Sequence, residues 1–215
     1  MTQRVAVLVS GTGSNLQALI DAHIEDAQIV RVISNVMTAA ALRRAADAGI
    51  PVSFIDHRGR KRVDFDRETR DQLLEDEVDW VVLAGFMRIL GPDVLDAFPD
   101  RIINIHPSLL PAFPGLNAPA QAFRAGVAIA GCTVHLVDAG ADTGPILAQT
   151  AVPVHPDDDE EALRQRILAA EHLLLPRVLR ALVQGKLRKG TKRTYLDAPT
   201  SKDVLSNPNI GEPHG

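Results

Sequence analysis

Short apolar runs alternate with helical periodicity through most of the chain. Residues 5–9 form a continuous apolar run ending in Ser10-Gly11-Thr12-Gly13-Ser14-Asn15, after which Leu16, Leu19 and Ile20 recur at helical spacing. The cycle repeats as an apolar run at 29–33, a helix around 40–48, a run at 52–55, a polar helix around 65–74 and a run at 80–83. Unbroken apolar strands separated by helices predict an α/β fold: a Rossmann-like open, mostly parallel sheet with helices on both faces. Further along come a helix near 94–98, a strand at 102–105, a helix near 121–124, and strands at 133–137 and 146–154. The last two, joined by a turn at 138–144, form a hairpin that would make the sheet mixed near its C-terminal strands. Five acidic residues at 157–161 open a long amphipathic helix, where they favour the positive end of its dipole. Pro176 is expected to kink or end that helix. Beyond Gly185 a basic stretch leads into 201–215, whose polar, Pro- and Gly-containing composition predicts a loosely ordered tail. The expected organisation is one domain over 1–190 and a tail over 191–215, without internal repeats.

Composition narrows the function classes. Nearly half of the 215 residues are hydrophobic, yet no stretch approaches the roughly 20 apolar residues of a membrane span. The apolar run near the amino terminus is too short for a signal peptide, so the expected compartment is the cytoplasm. A single cysteine, Cys132, excludes an internal disulfide framework. Its apolar neighbours favour a buried small residue over a nucleophile. With 27 acidic against 23 basic residues there is no global positive field to attract nucleic acid. The expected partners are small molecules, some of them anionic, with the chain acting as a monomer or homodimer.

The glycine loop comes next. A turn from a strand into a helix aims backbone N–H groups at one point, and the helix dipole favours an anion there. Gly11 and Gly13 begin a G-x-G-x-x-G pattern, but position 16 is Leu, and the second strand ends in Ser34-Asn35 rather than in an acid for a ribose. A dinucleotide is disfavoured. A G-K-[ST] ending is also lacking, which disfavours a triphosphate loop. What remains is a monophosphate held by Gly11, Thr12, Gly13, Ser14 and Asn15, or simply a tight turn that binds nothing.

A second constellation lies at the end of the strand at 102–105. Asn104 and His106 sit two apart, so both side chains leave the same face. The ends of parallel strands are where open α/β sheets place ligands. A histidine beside an apolar strand is often structural, but its pairing with a polar residue at a strand end favours function. Asp142, in Ala139-Gly140-Ala141-Asp142-Thr143-Gly144, reads first as a turn former. If it approaches His106, its charge would favour the imidazolium and help that ring carry a proton. His135 is a further pocket candidate; alternation places it with Thr133 and Val137, and a core position is the alternative. No histidine spacing resembles a metal site, so no metal is expected.

Four segments together resemble the phosphoribosylglycinamide formyltransferase family over about residues 4–184. They are Ser10-Gly11-Thr12-Gly13-Ser14-Asn15-Leu16-Gln17-Ala18, Val81-Val82-Leu83-Ala84-Gly85-Phe86-Met87-Arg88-Ile89-Leu90, Asn104-Ile105-His106-Pro107-Ser108-Leu109-Leu110-Pro111, and Asp142-Thr143-Gly144-Pro145-Ile146. The second and third are long and specific. The resemblance implies formyl transfer from 10-formyltetrahydrofolate, as cosubstrate, to the amine of glycinamide ribonucleotide in purine synthesis. By it, Gly13, Ser14 and Asn15 hold the acceptor's phosphate and Glu171 meets its ribose hydroxyls. Met87, Arg88, Ile89 and Leu90 form part of the folate pocket, and Arg62 faces the donor's anionic tail. Asn104, His106 and Asp142 match the family's catalytic trio. One departure stands out: after Leu116 this chain reads Asn117-Ala118-Pro119, where many relatives carry histidine and threonine.

Several rivals share much of this signature. A formyltetrahydrofolate hydrolase usually carries a regulatory domain before the first strand, which here begins near Val5. A formyltransferase acting on charged transfer RNA usually adds a carboxyl-terminal domain, against about thirty residues after Gly185 here. An enzyme formylating an amino-sugar nucleotide is the stronger alternative. A binding protein that kept the pocket and lost the reaction is disfavoured by the intact Asn104, His106 and Asp142.

Overall fold

The computed structural model describes residues 2–191 and 194–197; the expected tail at 201–215 lies outside the described residues. The strands of the main sheet are β1 (Gln3–Val9), β2 (Ala27–Ser34), β3 (Val52–Phe54), β4 (Trp80–Leu83), β5 (Ile102–His106), β6 (Ile129–Leu136) and β7 (Ile146–Pro153). The helices are α1 (Ser14–Asp21), α2 (Ala40–Asp47), α3 (Arg62–Glu75), α4 (Pro92–Leu95), α5 (Ala118–Arg124) and α6 (Glu160–Val183). The sheet runs β3-β2-β1-β4-β5-β6-β7. Its first five members are parallel, and β6 and β7 are antiparallel to their neighbours. The sheet is therefore mixed at the side where the late hairpin was expected.

The unbroken apolar run of β1 has a direct cause. Residues 5–9 are all 0% exposed, because both faces of the strand are covered. Val5, Val7 and Val9 pack with Leu16, Ala41 and Ile167 on one side. Ala6 and Leu8 pack with Phe65, Leu73 and Val94 on the other. Fully burying each such aliphatic side chain contributes about 1.5–3 kcal/mol, which fixes the order of layers. Because the chain leaves β3 at one edge and returns to β4 beside β1, the strand order reverses there. That reversal opens a crevice at the carboxyl ends of β1 and β4.

Three expectations change. Pro176 does not end α6, which continues to Val183. Leu174, Leu175, Val178, Leu179 and Leu182 are all buried, and their burial outweighs the roughly 3 kcal/mol that an interior proline costs a helix. β6 starts at Ile129, earlier than the expected 133, and Val137 lies past its end. The basic stretch after Gly185 holds a hairpin of β8 (Leu187–Lys189) and β9 (Thr194–Leu196), whose Leu187 and Leu196 pack on the main core. The acidic opening of α6 is as anticipated: Glu160 and Glu161 lie in the first turn, and the Asp159 carboxylate accepts the Ala162 N–H at 2.7 Å.

Among the described residues, no helix is long and apolar enough to cross a membrane.

Candidate active site

The carboxyl ends of β1, β4 and β5 lie side by side, and each leads into one of the segments singled out in the sequence. After β1, Gly13 occupies the N-cap of α1 in a left-handed conformation (φ +73°) and makes no side-chain cap bond. Gly13 thus offers no side-chain partner to the first-turn N–H groups. Glycine is required twice over at position 13, since an added Cβ would also meet the Ala41 Cβ at 2.6 Å. Thr12 contributes its carbonyl to Arg44 at 2.9 Å. Asn15 donates its amide to Glu171 on α6 at 2.8 Å. Glu171 is only 5% exposed, and burial pushes its carboxyl up to about 7 despite the Asn15 bond, which lowers it. The Asn15 Oδ1 is buried without a hydrogen-bond partner among the described residues.

At the end of β5 the geometry brings Asn104, His106, His135 and Asp142 together. The His106 Nδ1 lies 3.4 Å from Asp142 Oδ2, and its Nε2 donates to the Phe113 carbonyl at 2.9 Å. Both ring nitrogens face oxygens, and only a doubly protonated ring can donate to both. Asp142 also accepts the Gly115 N–H at 2.8 Å and lies 3.4 Å from the Asn104 Nδ2. Its carboxyl is held below the usual range by His135 foremost, then by the Gly115 N–H and the neighbouring His106, with burial opposing. His135 sits opposite Asn104 in the β5–β6 ladder. Its Nδ1 faces the Leu136 carbonyl at 2.8 Å, and its Nε2 lies between the Asn104 amide at 3.1 Å and Asp142 Oδ1 at 3.6 Å. His135 is 2% exposed and acts on Asn104 from the interior.

After β4 the chain turns at Gly85 (φ +72°) and exposes Met87 and Ile89, while the Leu90 side chain enters the core at 2% exposure. Arg62, the first residue of α3, donates to the Leu90 carbonyl at 2.8 Å, and its Nε lies 3.4 Å from Asp66. The Arg88 guanidinium stacks 5.1 Å over the Phe65 ring, and its Nε is buried without a hydrogen-bond partner among the described residues. Burial raises the Asp66 carboxyl, and Arg62 is the main opposing influence. Gly91 lies so close that an added Cβ would collide with Asp66 Oδ2.

Single-sequence reasoning did not single out Ser10, Asn35 or Asp66. The Arg62–Asp66 spacing of four on a helix was a usable signal; for Asn35, whose partners come from other elements, there was none.

A formyl transferase family model matches residues 3–179. The trifunctional purine biosynthetic protein adenosine-3 of Drosophila melanogaster is 51% identical over 189 residues, covering 85% of this chain but only 14% of that protein. The phosphoribosylglycinamide formyltransferase of Bacillus subtilis is 42% identical over 194 residues, covering 88% of this chain and 99% of the relative. Among solved structures, glycinamide ribonucleotide transformylase 1 from Symbiobacterium toebii superposes with a TM-score of 0.88 at 46% identity, covering 91% of this chain and 94% of the other. With this match across the sheet and all three segments at its carboxyl edge, the chain belongs to the formyl transferase family.

Proposed function

We propose that this chain transfers the formyl group of 10-formyltetrahydrofolate to the primary amine of glycinamide ribonucleotide, a step of purine synthesis. The observation that carries the reading is the cluster of His106, Asp142 and Asn104 at the end of β5, on the same sheet edge as an uncapped glycine loop suited to a phosphate. The acceptor's phosphate would meet the N–H groups of Gly13, Ser14 and Asn15, with Gly11 and Thr12 shaping the turn, and Glu171 would accept from its ribose hydroxyls. The donor's ring would lie along the 87–90 backbone, with Met87 and Ile89 as apolar cover and Arg62 near the anionic tail.

In this reading the acceptor amine attacks the formyl carbon, forming a C–N bond and an oxyanion. Asn104 donates to that oxyanion once one of its N–H groups turns from the longer contact with Asp142. His106, held by Asp142 at Nδ1, supplies a second donor and a proton for the folate nitrogen once its Nε2–H turns from the Phe113 carbonyl, and the bond from that nitrogen to the formyl carbon breaks on collapse. The amine's proton leaves to water or to the histidine, so the products are the formamide and tetrahydrofolate. His135 keeps the Asn104 amide aimed by holding it from behind.

The test follows donor consumption by absorbance with and without glycinamide ribonucleotide, with the products identified. Formylated acceptor supports the proposal. Formate released at the same rate without acceptor would replace it with a hydrolase.

A further inference from the structure

We infer that Ser10 is a positioning residue that holds the donor-side turn at 85–87 against the root of the acceptor loop, so that one side chain sets the spacing between the two halves of the site. The inference rests on the reading of Met87–Leu90 as part of the donor pocket.

The ordered pairing of β1 with β4 stops at Leu8 and Leu83, followed by one bond from the Ala84 N–H to the Leu8 carbonyl at 3.0 Å. Beyond that point Gly85 takes a left-handed conformation and the chain leaves the sheet. Ser10 then grips the departing segment twice. Its N–H donates to the Gly85 carbonyl at 3.1 Å, and its Oγ accepts the Met87 N–H at 2.8 Å. The hydroxyl proton is itself directed, donating to Asn35 Oδ1 at 2.6 Å. Asn35 is 4% exposed, and its own carbonyl accepts from His57 Nδ1 at 3.0 Å.

The chemistry at this point needs a group that donates and accepts at once, which a hydroxyl does and a methyl cannot. The residue after Ser10 is Gly11, where the acceptor loop starts, so a shift of Ser10 moves both binding elements together. Met87 and Ile89 are 65% and 52% exposed, so their own side chains do little to locate this backbone, and its hydrogen bonds carry more of that role. Asp66 and Arg62 secure the far end of the segment at Gly91 and Leu90; at the near end Phe86 stacks on Phe65 and Ser10 supplies the hydrogen bonds to the backbone on either side of it. Transfer between two bound substrates is sensitive to displacements of about 1 Å, and a two-point clamp at the junction suppresses them.

The test compares Ser10→Ala, Ser10→Thr and Ile89→Ala in the full chain. Amide exchange at Met87 is followed by NMR, and KM for donor and acceptor is measured separately. Loss of one hydrogen bond corresponds to roughly five- to tenfold. We expect Ser10→Ala to speed Met87 exchange and raise the donor KM by about that factor, with a smaller change for the acceptor, and Ser10→Thr to restore both. A merely structural role would lower the melting temperature and leave the KM values alone. Unchanged Met87 exchange in Ser10→Ala overturns the inference, as does faster exchange with an unchanged donor KM. If Ile89→Ala raises the donor KM and Ser10→Ala does not, the clamp fails alone. If neither does, the donor reading of the segment fails with it.

Discussion

Asn15 and Glu171 meet through a buried 2.8 Å hydrogen bond that ties the first turn of α1 to the middle of α6 across 156 residues of chain. The carboxyl that accepts this bond has a folded-state value of about 7, well above the roughly 4.3 of a free glutamate. An acid raised in this way stabilises the fold while protonated. That contribution is present below about pH 4.3 and is lost as pH rises to about 7, on the order of a few kcal/mol over the interval. Glu171→Gln should therefore flatten the pH dependence of the melting temperature between about pH 5 and 8 and raise stability at its alkaline end. It should also raise the acceptor KM about tenfold with little change in kcat, because a hydroxyl-accepting carboxylate is gone. A wild-type melting temperature that is flat with pH across this window would contradict the assignment.

His106→Ala and Asp142→Asn separate chemistry from folding. Each should lower kcat by roughly 10²–10⁴, the usual range for a positioned proton-transfer group. The stability cost should stay near 1–3 kcal/mol, the price of leaving a buried partner unmatched. Steady-state rates beside thermal melts check this, and near-normal turnover in either variant removes that residue from the mechanism.

The two loop glycines should respond differently to alanine. At Gly13 the new Cβ meets Ala41 at 2.6 Å and φ is +73°, so a loss of about 1–3 kcal/mol and a weaker acceptor interaction are expected. At Gly11 nothing lies within 4 Å and φ is not positive, so stability should change by less than about 1 kcal/mol. Equal melting temperatures for the two variants would show that the Ala41 contact is not tight.

Much of this architecture was legible in the chain because burial on both faces leaves an unmistakable trace: the 0% exposure of residues 5–9 is the same fact as their unbroken apolar run. The strand end carrying Asn104 and His106 was legible from the two-residue period. What was hidden depends on register and tertiary context. The contact of His135 with Asn104 follows from the antiparallel pairing of β5 with β6, which no local pattern specifies. The persistence of α6 through Pro176 is a tertiary override, since the buried leucines around it are held by the sheet. The β8–β9 hairpin escaped notice because Arg188 and Lys189 hide the alternation that places Leu187 on the core. The contact of Asp142 with His106 belongs to the same class, because a loop aspartate acquires its partner only when β6 and β7 return it to the end of β5.

The most direct test of the central claim uses 10-formyltetrahydrofolate labelled with ¹³C in the formyl group, mixed with the protein and glycinamide ribonucleotide and followed by NMR. The account predicts that the label appears as a formamide carbon on the acceptor with wild-type protein, and at least about a hundredfold more slowly with His106→Ala. Label recovered only as free formate, or remaining on the folate while the acceptor is bound, would contradict it.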